Sequence, residues 1–164
     1  MDATHGATAW LKGIEQSGLG RSLREGLWFY PTVEIIHILG FVLLIGGIAV
    51  YDLRLLGLGS KVPADLLAKI ALPTAITGFC LAVPAGILLL MTEATAIAGN
   101  PAFQLKMVLI GLGLINAATF HLGIYRRVAE WTTGTPPLAA RLAGGVSLLL
   151  WIGVLVCGRL IAYL

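Results

Sequence analysis

The sequence predicts an all-α polytopic membrane protein: an antiparallel bundle of four transmembrane helices with a short N-terminal helix in the interface plane. Three observations lead there. Of 164 residues, 58% are apolar and only 12% are charged, and the mean hydropathy is +0.93. A soluble domain carries roughly 25% charge, so this chain lacks the ions to cover a water-facing surface. Four long apolar stretches make up most of the chain. No strand-length alternation accompanies them, and an open strand edge cannot be satisfied in lipid. A soluble enzyme, a disordered chain and a secreted disulfide scaffold are excluded.

Residues 1–30 read as a tail and residues 31–164 as the transmembrane domain. In the tail, Ala7, Trp10, Leu11 and Ile14 share one helical face, opposite Lys12, Glu15 and Gln16. That pattern suits a helix lying on the membrane surface. Ser22 and Glu25 resemble a capping box before the aromatic cluster Leu27-Trp28-Phe29-Tyr30. A spanning helix needs about 20 mainly apolar residues. The spans are expected at about 31–56, 66–92, 102–125 and 138–162. Pro31, Pro63, Pro101 and Pro137 stand near their starts, where a first-turn proline forfeits no hydrogen bond. Asn100-Pro101 is a cap followed by a first-turn proline. Thr133 to Pro137 reads as a stiff turn before the last span.

The net charge of +3 comes from 11 Lys and Arg against 8 Asp and Glu. The basic residues form no stripe, so nucleic-acid binding has no footprint. Arg54, Lys61, Lys69, Arg126, Arg127 and Arg141 lie in or near the loops joining spans 1–2 and 3–4. Lys12, Arg21, Arg24, Lys106 and Arg159 belong to the opposite side. The bias places both termini in the periplasm of a bacterial inner membrane. Charged residues throughout the first 30 argue against a cleavable signal peptide. Cys80 and Cys157 fall inside apolar stretches, as free thiols would.

Small residues suggest close helix packing. Gly78, Ala82 and Gly86 recur every four residues on the second span, Gly113 and Ala117 on the third, and Gly153 and Cys157 on the fourth. Gly40, Gly46 and Gly47 on the first are less regular. Such faces also leave room for a flat cofactor. Pro73 and Pro84 are expected to kink the second span and free carbonyls around Lys69 and Cys80.

Ionisable residues at membrane depth point to function by default. Counting along each span puts Glu34, His37, Met91, Glu93, Lys106, Met107 and Cys157 in the layer nearest the N-terminus. The opposite layer holds Asp52, Arg54, His121, Tyr125, Arg126 and Arg127. His37 and His121 therefore differ in depth by roughly 15–20 Å, too far to share one haem iron within a chain. His37 alone, or His37 with Met91 or Met107, is the easier ligand set. Glu34, one turn from His37, could orient the imidazole or carry a proton. The plainer alternatives are a backbone-bonded histidine at each site, methionines as filler, and snorkelling by Lys106 and Glu93. For Asp52 and Arg54 the plainer reading is helix-end charges. His121 could instead pair with Asp52.

The stretch Glu34-Ile-Ile-His37-Ile-Leu-Gly40, continuing through Gly46-Gly47 to Asp52-Leu-Arg54, resembles the first helix of HemJ-type membrane proteins. Leu72-Pro73-Thr74 with Gly78, and Phe103-Gln-Leu-Lys106 followed by Asn116 and His121, extend the likeness. The lysine-to-asparagine run is also similar to CopD-type copper-resistance domains. The chain as a whole, from about residue 28 to 126, most resembles a group of uncharacterised bacterial four-helix membrane proteins. The HemJ resemblance implies b-type haem and protoporphyrinogen oxidation, with His37 as ligand and Lys106 meeting a porphyrin carboxylate. Residues 41–45 carry no tryptophan where HemJ-type proteins have one. The CopD resemblance implies copper, with His37, Met91, Met107 and Cys157 as soft ligands. The expected function is thus a haem-binding redox protein acting on a lipid-soluble or porphyrin substrate. His37, Met91, Met107, His121 and Arg54 are its candidate cofactor contacts, and Glu34 and Lys106 its candidate catalytic groups. Copper binding or transport, and a non-catalytic subunit docking a partner, are the alternatives. A homo-oligomer or a partner membrane redox protein fits any of these.

Overall fold

A computed structural model describes residues 2–164, with side chains from Ala9 onward. Its elements are α1 (Asp2–Glu15), α2 (Gly18–Glu25), α3 (Phe29–Leu55), α4 (Ala64–Leu90), α5 (Ala94–Gly99) and α6 (Pro101–Leu122). A 3-10 helix (Ile124–Glu130) and α7 (Leu138–Leu160) follow. There are no strands among the described residues. Helices α3, α4, α6 and α7 are each long and apolar enough to cross a membrane, which makes this a multi-pass membrane protein. Their bounds lie within about three residues of those read from the sequence.

The spans form two hairpins. Helix α3 packs along α4, α6 packs along α7, and the hairpins meet where α3 touches α7. The order across the bundle is therefore α4–α3–α7–α6, and the outer pair, α4 and α6, share no packed seam. Large apolar side chains such as Ile35, Ile70, Ile115 and Leu149 point outward, as lipid-facing residues do.

The α3–α4 seam shows why this pair is tight. On α4 the buried residues are Ala64, Ala68, Ala71, Ala75, Gly78, Ala82 and Ala85, a stripe of small residues at alternating steps of four and three. Gly40 and Gly47 of α3 press into it. A Cβ at Gly47 would stand 2.7 Å from the Ala71 oxygen and 2.9 Å from the Ala75 nitrogen. Backbones approach this closely only without side chains between them, and the contact is held by dispersion because lipid offers no hydrophobic drive. The stripe is longer than Gly78–Ala82–Gly86: it continues along the whole helix, and Gly86 instead faces His37. Pro73 and Pro84 both lie inside α4, which is unbroken from Ala64 to Leu90.

The Asn100 cap is as expected: its Oδ1 accepts from the Ala102 and Phe103 amides at 2.9 and 3.3 Å. Its Nδ2 also donates to the Ile161 carbonyl at 3.2 Å, tying α6 to the end of α7. The expected capping box is corrected. Ser22 lies inside α2, and Ser17 is the cap, its Oγ accepting from the Gly20 amide at 3.2 Å.

The tail docks on its own bundle. Leu23 is fully buried against Val33 and Ala85. Arg24 donates to the Thr92 and Glu15 carbonyls, both at 2.8 Å. The Glu15 carboxylate, expected on a solvated face, accepts the Thr95 amide of α5 at 2.7 Å. Helix α5, only six residues long, falls in what reads as loop. Leu11 and Ile14 are half-buried while Trp10 is exposed, and the side chain of Ala7 lies outside the described residues.

Candidate functional site

Two places bring polar side chains to membrane depth. The first is the layer around His37, eight residues into α3 and so about 12 Å from its start. The His37 ring is half-buried and crosses to α4, where a Cβ on Gly86 would stand 2.9 Å from its Cε1. Its Nδ1 donates to the Ala82 carbonyl at 2.8 Å. A carbonyl can only accept, so the proton sits on Nδ1 and Nε2 keeps its lone pair. That carbonyl is not among the two that the prolines free. Glu34 and Lys106 are charged side chains near enough to act on the ring electrostatically. Lys106 is half-buried, its ammonium within 3.6 Å of where a Cβ on Gly158 would be, and close to the buried Cys157.

The other residues of this layer are dispersed. Met107 is exposed on the outer surface of α6. Met91 caps α4, and its carbonyl lies against Gly20 of the tail. Glu93 is exposed at the start of α5. Among the described residues, no three His, Cys, Asp or Glu side chains converge as a metal-holding group.

The second place is a cavity of about 330 Å³ in the opposite layer, between α3, α4, α6 and α7. Its wall is apolar and aromatic, with Phe79, Phe120 and Trp151, and its polar members include Tyr51, Asp52, Asn116, His121 and Ser147. His121 is not bonded through Nδ1 to Asp52. That nitrogen donates to the Ala117 carbonyl of its own helix at 2.8 Å, and the ring stands edge-on to Phe120 with centroids 5.2 Å apart. Asn116 Nδ2 donates to the Ala143 carbonyl at 3.0 Å, pinning α6 to α7. Asp52 is buried, with the Ser147 hydroxyl beside it, and its Oδ2 has no partner. The Tyr51 hydroxyl is buried and unpartnered as well.

Arg54 is not a helix-end charge reaching water. Only 2% of it is exposed. Its Nε donates to the Val62 carbonyl at 2.7 Å, and its Nη2 to those of Ser60, Thr132 and Gly134 at 3.1–3.3 Å. The guanidinium thus staples the α3–α4 loop to the loop before α7. The Ala64 amide, donating to Thr132 at 2.8 Å, and a hydrogen bond from the Thr132 hydroxyl to Asp65 reinforce the closure.

Asp52, which reads from the sequence as a helix-end charge or a partner for His121, is buried in the cavity wall. A signal for its neighbours was present: Val33, Gly40, Leu44, Gly47, Tyr51 and Arg54 follow steps of seven, four, three, four and three along the buried seam. The seam therefore runs to the very end of α3 and carries Tyr51 and Arg54 inward. No family model, curated protein or solved structure matches the chain.

Proposed function

We propose that this chain is a b-type haem protein of the bacterial inner membrane, serving electron transfer or a redox step on a lipid-soluble or porphyrin substrate. The observation that carries the reading is the His37 hydrogen bond. Donation from Nδ1 to the Ala82 carbonyl crosses to α4, fixes the tautomer and ring plane and leaves the Nε2 lone pair free for a metal, whereas the same bond at His121 stays within its own helix. The donor set fits haem, which needs one such nitrogen from the protein rather than a cluster of ligands. Bound there, haem supplies one-electron chemistry.

The chain's own residues do the rest. Gly86 gives the imidazole a flat backbone to lie against. Lys106 offers a half-buried cation for a porphyrin or propionate carboxylate. Glu34, exposed one turn from His37, is the carboxylate placed to pass a proton between the site and the surface. The docking-subunit alternative has less support, because Leu23 and Arg24 of the tail are already engaged with the bundle. Both termini are assigned to the periplasmic side, which cysteine labelling at each end in intact cells would check.

The test is the absorption spectrum of detergent-purified protein, oxidised and dithionite-reduced, beside His37→Ala and His121→Ala. A Soret band lost only in His37→Ala is the expected result. A band lost only in His121→Ala would move the ligand to the opposite layer. No band, in protein made with ample haem, would refute the reading, and bound copper by metal analysis would then favour the copper alternative.

A further inference from the structure

The geometry points to a second binding site, independent of His37: the cavity beside Asp52 takes a bilayer-soluble organic amine in its cationic form. Three features of the cavity make the argument.

The first is access. The cavity lies between α4 and α6, the two spans that share no packed seam. Ile76 on one rim and Leu114 on the other are exposed, so the opening faces lipid. The neighbouring aqueous end is shut by the Arg54 staple, and the 3-10 helix after α6 packs against α4 there. A molecule reaching this cavity therefore comes through the bilayer and must be soluble in it.

The second is unspent hydrogen-bonding capacity. A buried polar atom without a partner is costly in an apolar setting, and native structures leave few. Here two stand side by side on α3, Asp52 Oδ2 and the Tyr51 hydroxyl. Asp52 is only 5% exposed, and Arg54 is tied through Nε and Nη2 to loop carbonyls, with its buried Nη1 left without a partner. On Asp52 the capacity left over is an acceptor's, and a protonated amine is the donor that satisfies a carboxylate most strongly.

The third is the wall. Phe79, Phe120, Trp151 and the Tyr51 ring line the same cavity as the acid. Aromatic faces attract an organic cation while accepting its hydrocarbon part. The volume of about 330 Å³ suits a compact ring-bearing amine, at the low end of small-molecule pockets. A neutral alcohol of the same shape would fill the space without answering the carboxylate.

The experiment uses tritiated 2-naphthylmethylamine and its isosteric alcohol, 2-naphthalenemethanol. Binding to the full-length, detergent-solubilised protein is read by scintillation proximity. The expected result is saturable amine binding, with the alcohol weaker by roughly ten- to a hundredfold. Asp52→Asn abolishes that preference while His37→Ala leaves it intact, which separates this site from the haem reading. Ala117→Phe, placing a ring in the cavity from α6, weakens both probes, and it keeps the test decisive if Asp52→Asn does not fold. Equal binding of amine and alcohol, a preference that survives Asp52→Asn, binding indifferent to Ala117→Phe, or no saturable binding would each overturn the proposal.

Discussion

Consider alanine placed at two glycines of the same helix, Gly40 and Gly46. A Cβ at Gly40 would stand 2.6 Å from the Ala82 nitrogen and 2.9 Å from both the Gly78 oxygen and the Leu81 Cβ. Ordinary contact begins at 3.4 Å. Two of these neighbours are backbone atoms of α4, so no rotamer change relieves the clash, and the helices must part along the seam. Overpacking of this kind costs about 1–3 kcal/mol. At Gly46 nothing lies within 4 Å. The same substitution there adds only the helix preference of alanine, worth about 1 kcal/mol in its favour. Alanine at Gly40 gains the same preference, so the two variants should differ by the clash alone, about 1–3 kcal/mol, with Gly40→Ala the weaker. Unfolding in mixed micelles by stepwise addition of sodium dodecyl sulfate, followed by far-UV circular dichroism, reads the difference directly. Equal stability of the two variants would refute the account of the α3–α4 seam.

Other consequences can be measured the same way. Arg54→Lys should destabilise the fold by about 2–4 kcal/mol and expose the loops at 56–63 and 131–137 to limited proteolysis, because an ammonium cannot span carbonyls on both loops as the planar guanidinium does. Should the lysine variant match wild type, the staple is not what closes that end. Leu23→Ala empties a fully buried position against Val33 and Ala85. A local loss of about 2–4 kcal/mol should speed amide exchange in residues 9–25 and leave α3 unchanged, whereas uniform acceleration would mean the tail is integral to the bundle. Gly86→Ala brings a methyl group 2.9 Å from His37 Cε1 and should displace the ring from Ala82. The Nδ1 proton of His37, followed by nitrogen-15 NMR, should then lose its hydrogen-bonded shift, and an unchanged shift would contradict the assigned packing.

The spans were legible because a bilayer imposes a length and excludes charge, and because proline and asparagine punctuate their starts. Azimuth was not. All four helices are apolar on every side, and lipid is as apolar as a protein interior, so periodicity did not separate inward from outward faces. That is why Gly46 looked equivalent to Gly47, and why depth alone grouped Met107 with His37. Depth did group Lys106, Glu34 and Cys157 usefully, since the structure brings Lys106 near both His37 and Cys157. Helix α5 escaped notice because six residues carry no periodic signal, and its partner, the Glu15 carboxylate, lies 80 positions away. Arg54 was misjudged for a related reason. A basic residue in a last helical turn satisfies the macrodipole rule so well that burial is not suspected.

The staple also bears on how the molecule is assembled. Synthesis runs from the N-terminus, so the α3–α4 hairpin precedes its companion. At that stage Arg54 has only the carbonyls of its own loop, Ser60 and Val62, within reach. Thr132 and Gly134 arrive only with the chain leading into α7. The early hairpin thus carries a poorly answered charge at its membrane boundary, and docking of the later hairpin adds two further acceptors at Nη2. The staple thereby favours one register: a second hairpin displaced by a turn would leave the guanidinium short of the Thr132 and Gly134 acceptors.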